Sequence, residues 1–328
     1  MKTICYHKPS IQPRSAEKPL LTRLGALLSA GPARLSLLTT LVVLAAGCCF
    51  NTLSPSSLAL EKPALSFTSQ PHPRGVVVVI HGLNQRPTSM DTLCTLLRDL
   101  GFHTYRITLT GHAQLPDSYF TSESWQHDVQ NALTTVSTQF PDLPMHVVGY
   151  SLGGLLATRV IDTSRVYRPA SLVLIAPALS LRMIVQSAYL LTVLPSTTLS
   201  VRNLAPRDYK LFNQTPLFWY ENTISIYDET RLIGDTSPLR TTPTLVIANP
   251  RDELISFSGL KNWISDNHLA PGWRLVSLEP HPRTPFLAGH IMIDERSLGA
   301  SEWAHLTSLL RDFLRQRSSA GDRSQVSQ

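Results

Sequence analysis

The sequence predicts an α/β fold, with a mostly parallel, doubly wound sheet and helices on both faces. Three observations carry this. Short β-rich apolar runs recur along the chain. Amphipathic helical stretches separate them, and several runs are apolar at every position, as strands covered on both faces must be. The first run is "GVVVVIHG" (75–82). A helix follows over Thr88 to Leu100, where Met90, Leu93, Leu96, Leu97 and Leu100 recur at helical spacing. "FHTYRITLTGH" (102–112) holds the next strand, and Ser124 to Phe140 the next helix. "MHVVGY" (145–150) runs directly into a helix over Ser151 to Asp162. "SLVLIAPA" (171–178), "TPTLVIANP" (242–250) and "WRLVSLEP" (273–280) complete the strands, and a last helix spans about Ser301 to Arg315.

One segment breaks the alternation. From about 179 to 240 no strong strand is visible, and seven aromatic residues lie between 179 and 236. A connection of that length must pack on something. It reads as a mainly helical cap over the carboxyl edge of the sheet, where open α/β folds place their ligands. The α/β domain is thus expected over 71–317, with 318–328 as a disordered tail.

The first 47 residues read differently. The run "LSLLTTLVVLAA" (35–46) follows a basic stretch and is short for a membrane span, so 1–47 reads as an export leader. Its end, "AAGC", resembles a lipobox, the site at which bacterial lipoproteins are cleaved before a lipidated cysteine. That resemblance implies lipidation of Cys48, a membrane-attached extracytoplasmic protein, and a Ser- and Pro-rich tether over 48–70. The formal charge of +6 gives no support to a nucleic-acid partner. Six basic residues and one acidic residue fall in the leader, which leaves 23 against 22 in the rest of the chain. The four cysteines, Cys5, Cys48, Cys49 and Cys94, match neither a disulfide framework nor a zinc ligand set. No metal or cofactor motif is present in the sequence: there is no H-E-x-x-H, no G-x-G-x-x-G and no Walker loop.

The chemistry concentrates on "GYSLGG". It matches G-x-S-x-G, a sharp strand-to-helix turn whose flanks, Gly149 and Gly153, must be small. The turn raises the Ser151 hydroxyl above the sheet edge. It also leaves the Leu152 N–H at a helix N-terminus, where the dipole favours an anion. A serine hydroxyl needs a base, and the base needs an orienting acid. Candidates follow at later strand ends. Asp252 lies in "NPRDELIS", with Glu253 as its rival. His290 lies in "AGHIMIDE", with His281 in "PHP" as its rival. The order Ser151, Asp252, His290 is that of an α/β-hydrolase triad.

Residues 72–315 resemble the α/β-hydrolase superfamily, and most closely its monoacylglycerol lipase, lysophospholipase and carboxylesterase group. "IHGLNQRP", "LRDLGFHTYRITLTGHAQ", "SWQHDV", "VGYSLGG", "RDELIS" and "GHIMID" carry the resemblance in order. It implies that His81-Gly82 forms the oxyanion loop, with His81 as its brace, and that the Leu83 N–H joins that of Leu152 in an oxyanion hole. Two departures stand beside the expected pocket: "ITLTGHAQLP" replaces a D-x-x-G-H-G-x-S pattern, and Asn249 stands where Gly is usual. The expectation is a cofactor-free serine ester hydrolase acting through an acyl-enzyme on small-molecule or lipid-like monoacyl esters. An acyltransferase or serine peptidase could use the same triad, and a non-catalytic surface-anchored binding protein could keep the same fold.

Overall fold

The computed structural model describes residues 66–113, 119–183, 185, 200–280 and 289–324 of the 328-residue chain. The leader with Cys48, most of the expected tether and the rival base His281 lie outside the described residues. A seven-stranded sheet forms the centre, in the order β1-β3-β2-β4-β5-β8-β9. Its strands are β1 (Ser66–Thr68), β2 (Val76–Ile80), β3 (His103–Arg106), β4 (Met145–Tyr150), β5 (Ser171–Ile175), β8 (Thr244–Ala248) and β9 (Trp273–Ser277). Only β1 runs antiparallel, pairing Ser66 with Arg106 and Thr68 with Thr104. The other pairs are parallel. Every residue of β2, β5 and β8 is buried, which accounts for their uninterrupted apolar sequences.

The helices owe their faces to apolar spacing. α1 (Asp91–Asp99) buries Leu93, Cys94 and Leu97. α2 (Ser122–Gln139) buries Trp125, Val129, Ala132, Leu133 and Val136, a stripe at periods of three and four. α3 (Leu152–Thr163) follows β4 without a linker beyond Ser151 and is buried over most of its length. α4 (Leu217–Glu229) lies in the cap, and α5 (Phe257–Asp266) connects β8 to β9. The short α6 (Glu295–Leu298) is closed by an Asp294–Ser297 capping box, and α7 (Ala300–Ser324) packs Leu306, Leu310 and Leu314 inward. Among the described residues no helix is long and apolar enough to cross a membrane.

Chain order places the chemistry. After β2 the chain adds β3 on one side, then crosses to β4 on the other. The crevice at such a reversal opens at the carboxyl ends of the strands. The loops after β2, β4 and β8 leave the sheet at that end, and the segment after β9 leads to His290.

The structure corrects two expected boundaries and adds a strand pair to the cap. The tether was expected to reach residue 70, yet Ser66–Thr68 is the edge strand β1, too short for a period-two pattern to show. The cap was expected to be mainly helical. In its described part the longest element is the helix α4 (Leu217–Glu229), followed by a 3-10 turn at Pro238–Arg240 and preceded by a two-stranded antiparallel sheet that the sequence did not suggest, β6 (Ser200–Arg202) with β7 (Gln214–Pro216). Three-residue strands, one ending in proline, leave no periodic signal. The last helix runs to Ser324 and takes in part of the expected tail, because no proline follows Arg315 to stop it.

Candidate active site

Ser151 occupies a strained position between β4 and α3. Its φ is 51° and its ψ −116°, a region non-glycine residues rarely enter. Its N–H donates to the Ile175 carbonyl at 3.0 Å, and its own carbonyl accepts from the N–H groups of Gly154, Leu155 and Ala178. The surroundings therefore hold the turn from both sides. The flanking glycines follow from contact. A Cβ on Gly149 would lie 2.6 Å from the Gly153 carbonyl oxygen, and one on Gly153 would lie 2.3 Å from that of Ile80. Only with hydrogens at both positions can β4, β2 and α3 meet so closely.

His290 and Asp252 complete a hydrogen-bonded chain. The Ser151 Oγ lies 3.0 Å from His290 Nε2, and His290 Nδ1 lies 2.8 Å from Asp252 Oδ2. Asp252 is fully buried, and its other oxygen, Oδ1, accepts from the N–H groups of Leu254 (2.7 Å) and Ile255 (2.9 Å). A buried carboxylate bound in this way stays an acceptor, so the imidazole proton sits on Nδ1 and Nε2 is left to accept from the serine hydroxyl. The neighbouring carboxylate takes a different place: Glu253 Oε1 accepts from the Gly289 N–H at 3.2 Å. Asn249, the residue in place of the usual Gly, ties the same two loops. Its Nδ2 donates to the Gly289 carbonyl (2.9 Å), and its Oδ1 accepts from the Arg251 N–H (2.9 Å). Tyr150 donates to the His290 carbonyl at 3.2 Å.

The loop after β2 is fixed by two buried histidines. The Leu109 N–H donates to His81 Nε2 (3.1 Å), so the proton is on Nδ1, which donates to the Gly82 carbonyl (2.8 Å). Burial pushes the His81 imidazole down to about 4, so it is neutral at pH 7. His112 repeats the logic: Nε2 accepts from the Asn84 N–H (3.0 Å), Nδ1 donates to the Thr110 carbonyl (3.2 Å), and burial holds its pKa well below the ordinary value. Thr110 is held in turn by Asp128 and by the Trp125 indole. The Gly82 N–H donates to the Gln85 side chain, whereas the Leu83 and Leu152 N–H groups make no hydrogen bond among the described residues. Both residues line the cavity that reaches Ser151. Two unengaged N–H groups beside a serine can bind the oxygen of a tetrahedral intermediate.

The cavity has a volume of about 310 Å³. Leu181, Val185, Tyr220, Ile224, Leu254 and Ile291 give it an apolar wall, and Ser151 and His290 lie in it. Cap residues form much of that wall, and the cap is bonded to all three loops of the site. Asn84, at φ 47°, sends its side chain to the Phe212 and Gln214 carbonyls and to Thr215 Oγ1, and its Oδ1 accepts from the Phe212 N–H (2.9 Å). Arg182 donates to the carbonyls of Asp252 and Pro250. The Tyr209 hydroxyl donates to the Asp294 carboxylate (2.9 Å), and Arg296 pairs with Asp208. Asn84, Arg182 and Tyr209 were not singled out in the sequence. Of these, Asn84 had a local signal, since it follows Gly82-Leu83 directly in the expected oxyanion loop. Among the described residues no group of three or more His, Cys, Asp or Glu side chains could hold a metal ion.

Comparison with known proteins agrees with this architecture. A family model described as Serine aminopeptidase, S33 matches residues 71–265. Monoglyceride lipase from Mus musculus is 25% identical over 206 residues, 57% of this chain and 68% of that protein. A soluble variant of monoglyceride lipase from Saccharomyces cerevisiae, solved with a substrate analogue, superposes with a TM-score of 0.61 at 12% identity, over 80% of this chain and 99% of that one. Monoacylglycerol lipase from Paleococcus ferrophilus gives a TM-score of 0.57 at 16% identity, over 76% and 99%.

Proposed function

Because the chain belongs to the Serine aminopeptidase, S33 family and is a hydrolase of the α/β-hydrolase fold, we propose that it is a serine ester hydrolase acting on monoacyl esters through an acyl-enzyme. The observation that carries the reading is the hydrogen-bonded chain Ser151–His290–Asp252 opening on an apolar cavity. His290 Nε2 takes the Ser151 proton as Oγ attacks the ester carbonyl. The resulting oxyanion sits on the Leu83 and Leu152 N–H groups, each worth about 3–4 kcal/mol of transition-state stabilisation. His290 then returns the proton to the leaving alkoxide. Water, deprotonated by the same imidazole, releases the acid and restores Ser151. Asp252 stabilises the imidazolium formed at each stage.

The family description raises a peptidase reading. An aminopeptidase must hold its substrate's free ammonium, and a carboxylate is the usual means. The described cavity lining contains no Asp or Glu, and Arg202 is its one residue with a full positive charge. The apolar wall and the likeness to monoglyceride lipase favour an acyl chain instead. A panel of p-nitrophenyl esters from C2 to C16 tests this. Activity should rise toward medium or long chains and disappear in Ser151→Ala; a C2 optimum would count against a lipid-like substrate. Lipidation of Cys48 would hold such an enzyme at a membrane surface, and intact-mass measurement on the membrane fraction tests that part.

A further inference from the structure

His290 stands on neither a strand nor a helix. Between β9 and α6 the described residues form no regular element, and Gly289 to Ile293 make no backbone–backbone hydrogen bond among them. Ser151 is fixed by a strand-to-helix turn, so the base needs an anchor of another kind. Burial of Ile291, Met292 and Ile293 holds the chain that follows it. At the base itself, side chains supply the main-chain bonds. Asn249 Nδ2 donates to the Gly289 carbonyl (2.9 Å), and Glu253 Oε1 accepts from the Gly289 N–H (3.2 Å). The Tyr150 hydroxyl donates to the His290 carbonyl (3.2 Å).

Two of these three anchors come from the loop that carries Asp252. Asn249 is fixed within that loop, because its Oδ1 accepts from the Arg251 N–H (2.9 Å) and its carbonyl from the Asp252 N–H (3.0 Å). Glu253 adjoins Asp252 in the chain, yet its bond goes to the Gly289 N–H and not to the imidazole. Its second oxygen, Oε2, is buried and accepts no hydrogen bond among the described residues. Burying a carboxylate oxygen without a partner is costly, so the bond to Gly289 is what this side chain has to offer in return. A Cβ on Gly289 would lie 2.8 Å from Asn249 Nδ2 and 3.1 Å from Glu253 Oε2. The two arms thus close on the peptide with no room left for a side chain.

We propose that Asn249 and Glu253 are positioning residues that grip the Gly289 peptide from both sides, so that the loop supplying the acid also sets the place of the base. This rests on the ester-hydrolase reading above. Neither side chain touches the reacting atoms. The grip acts on the reach of His290 Nε2 toward the Ser151 hydroxyl, where a misplacement of about 1 Å can cost about a hundredfold in rate. Ester binding on the apolar wall does not involve it, so its loss should appear in kcat and not in KM.

The test measures kcat and KM on p-nitrophenyl butyrate, together with Tm and the low-field proton NMR signal of His290 Nδ1–H. In Glu253→Ala and in Asn249→Gly, kcat should fall at least about tenfold with KM changed by less than about twofold. The low-field signal should broaden or vanish in both while the protein stays folded. Glu253→Gln keeps an acceptor for the Gly289 N–H and should return part of the rate. In Gly289→Ala the new Cβ meets only side-chain ends, so the fold should survive while the grip opens and kcat falls in the same way. The double variant Asn249→Gly/Glu253→Ala should lose less than the product of the two single losses, because both act on one peptide. Unchanged kcat in the single variants and in Gly289→Ala would overturn the proposal, as would single losses that multiply in full. A Glu253→Gln enzyme as slow as Glu253→Ala would overturn it too, by assigning the effect to charge. Labelling of Ser151 by a fluorophosphonate separates the two layers. A wild-type protein that labels no faster than these variants loses only the grip, whereas one that neither labels nor cleaves the ester loses the hydrolase reading as well.

Discussion

Asn84 joins the cap to the loop that carries the Leu83 N–H. Its backbone N–H is received by His112, its carbonyl accepts from the Leu211 N–H, and its side chain bonds three residues of the cap. In Asn84→Ala, the buried Phe212 N–H loses its acceptor, which costs about 1–3 kcal/mol. Alanine at φ 47° adds about 1 kcal/mol of backbone strain. The expected loss of stability is therefore about 2–4 kcal/mol, read from urea denaturation. Asn84→Gly makes the same deletion without the strain and should recover about 1 kcal/mol of it. A consequence for activity follows, because Leu83 precedes the loosened residue. Displacing one oxyanion donor should lower kcat on a p-nitrophenyl ester by at least about tenfold, with a smaller change in KM. A stability loss below about 1 kcal/mol with kcat intact would refute the idea that this side chain sets both the cap and the donor.

Two further outcomes follow. Gly153→Ala forces a Cβ against the Ile80 backbone, which cannot swing aside, so it should destabilise the fold by about 3 kcal/mol or more, visible as a lower Tm or insoluble expression. Acid should also weaken the fold. Burial pushes both His81 and His146 down to about 4, so below 6.5 the unfolded chain binds protons the folded chain refuses. Stability is then lost as pH falls from about 6.5 to about 4, by roughly 2 kcal/mol per histidine at pH 5. A Tm equal at pH 7 and pH 5 would contradict this assignment of neutral buried imidazoles.

The central strands were legible because burial on both faces leaves a signal in the residues themselves: Val76 to Ile80 has no polar position to mistake. The elbow was legible for a related reason. Its glycines are dictated by contacts of 2.3–2.6 Å, and the sequence has no freedom there. Ser151, Asp252 and His290 could be listed from their order after strands, but their meeting depends on the crossover pattern, which only the fold supplies. The cap was least legible. Its shape is set by bonds that Asn84, Arg182 and Tyr209 make between the cap and loops 68 to 130 residues away, and single polar residues with distant partners carry no periodicity. The β6–β7 pair lay below detection for the same reason that β1 did, since three residues cannot establish an alternation.

The account depends on an activated hydroxyl at Ser151. Treating the purified protein with a fluorophosphonate and mapping the adduct by peptide mass spectrometry tests that directly. A single adduct on Ser151, abolished in Ser151→Ala and strongly slowed in His290→Ala, is the expected result. An unmodified Ser151, or a label on another residue that survives Ser151→Ala, would contradict it.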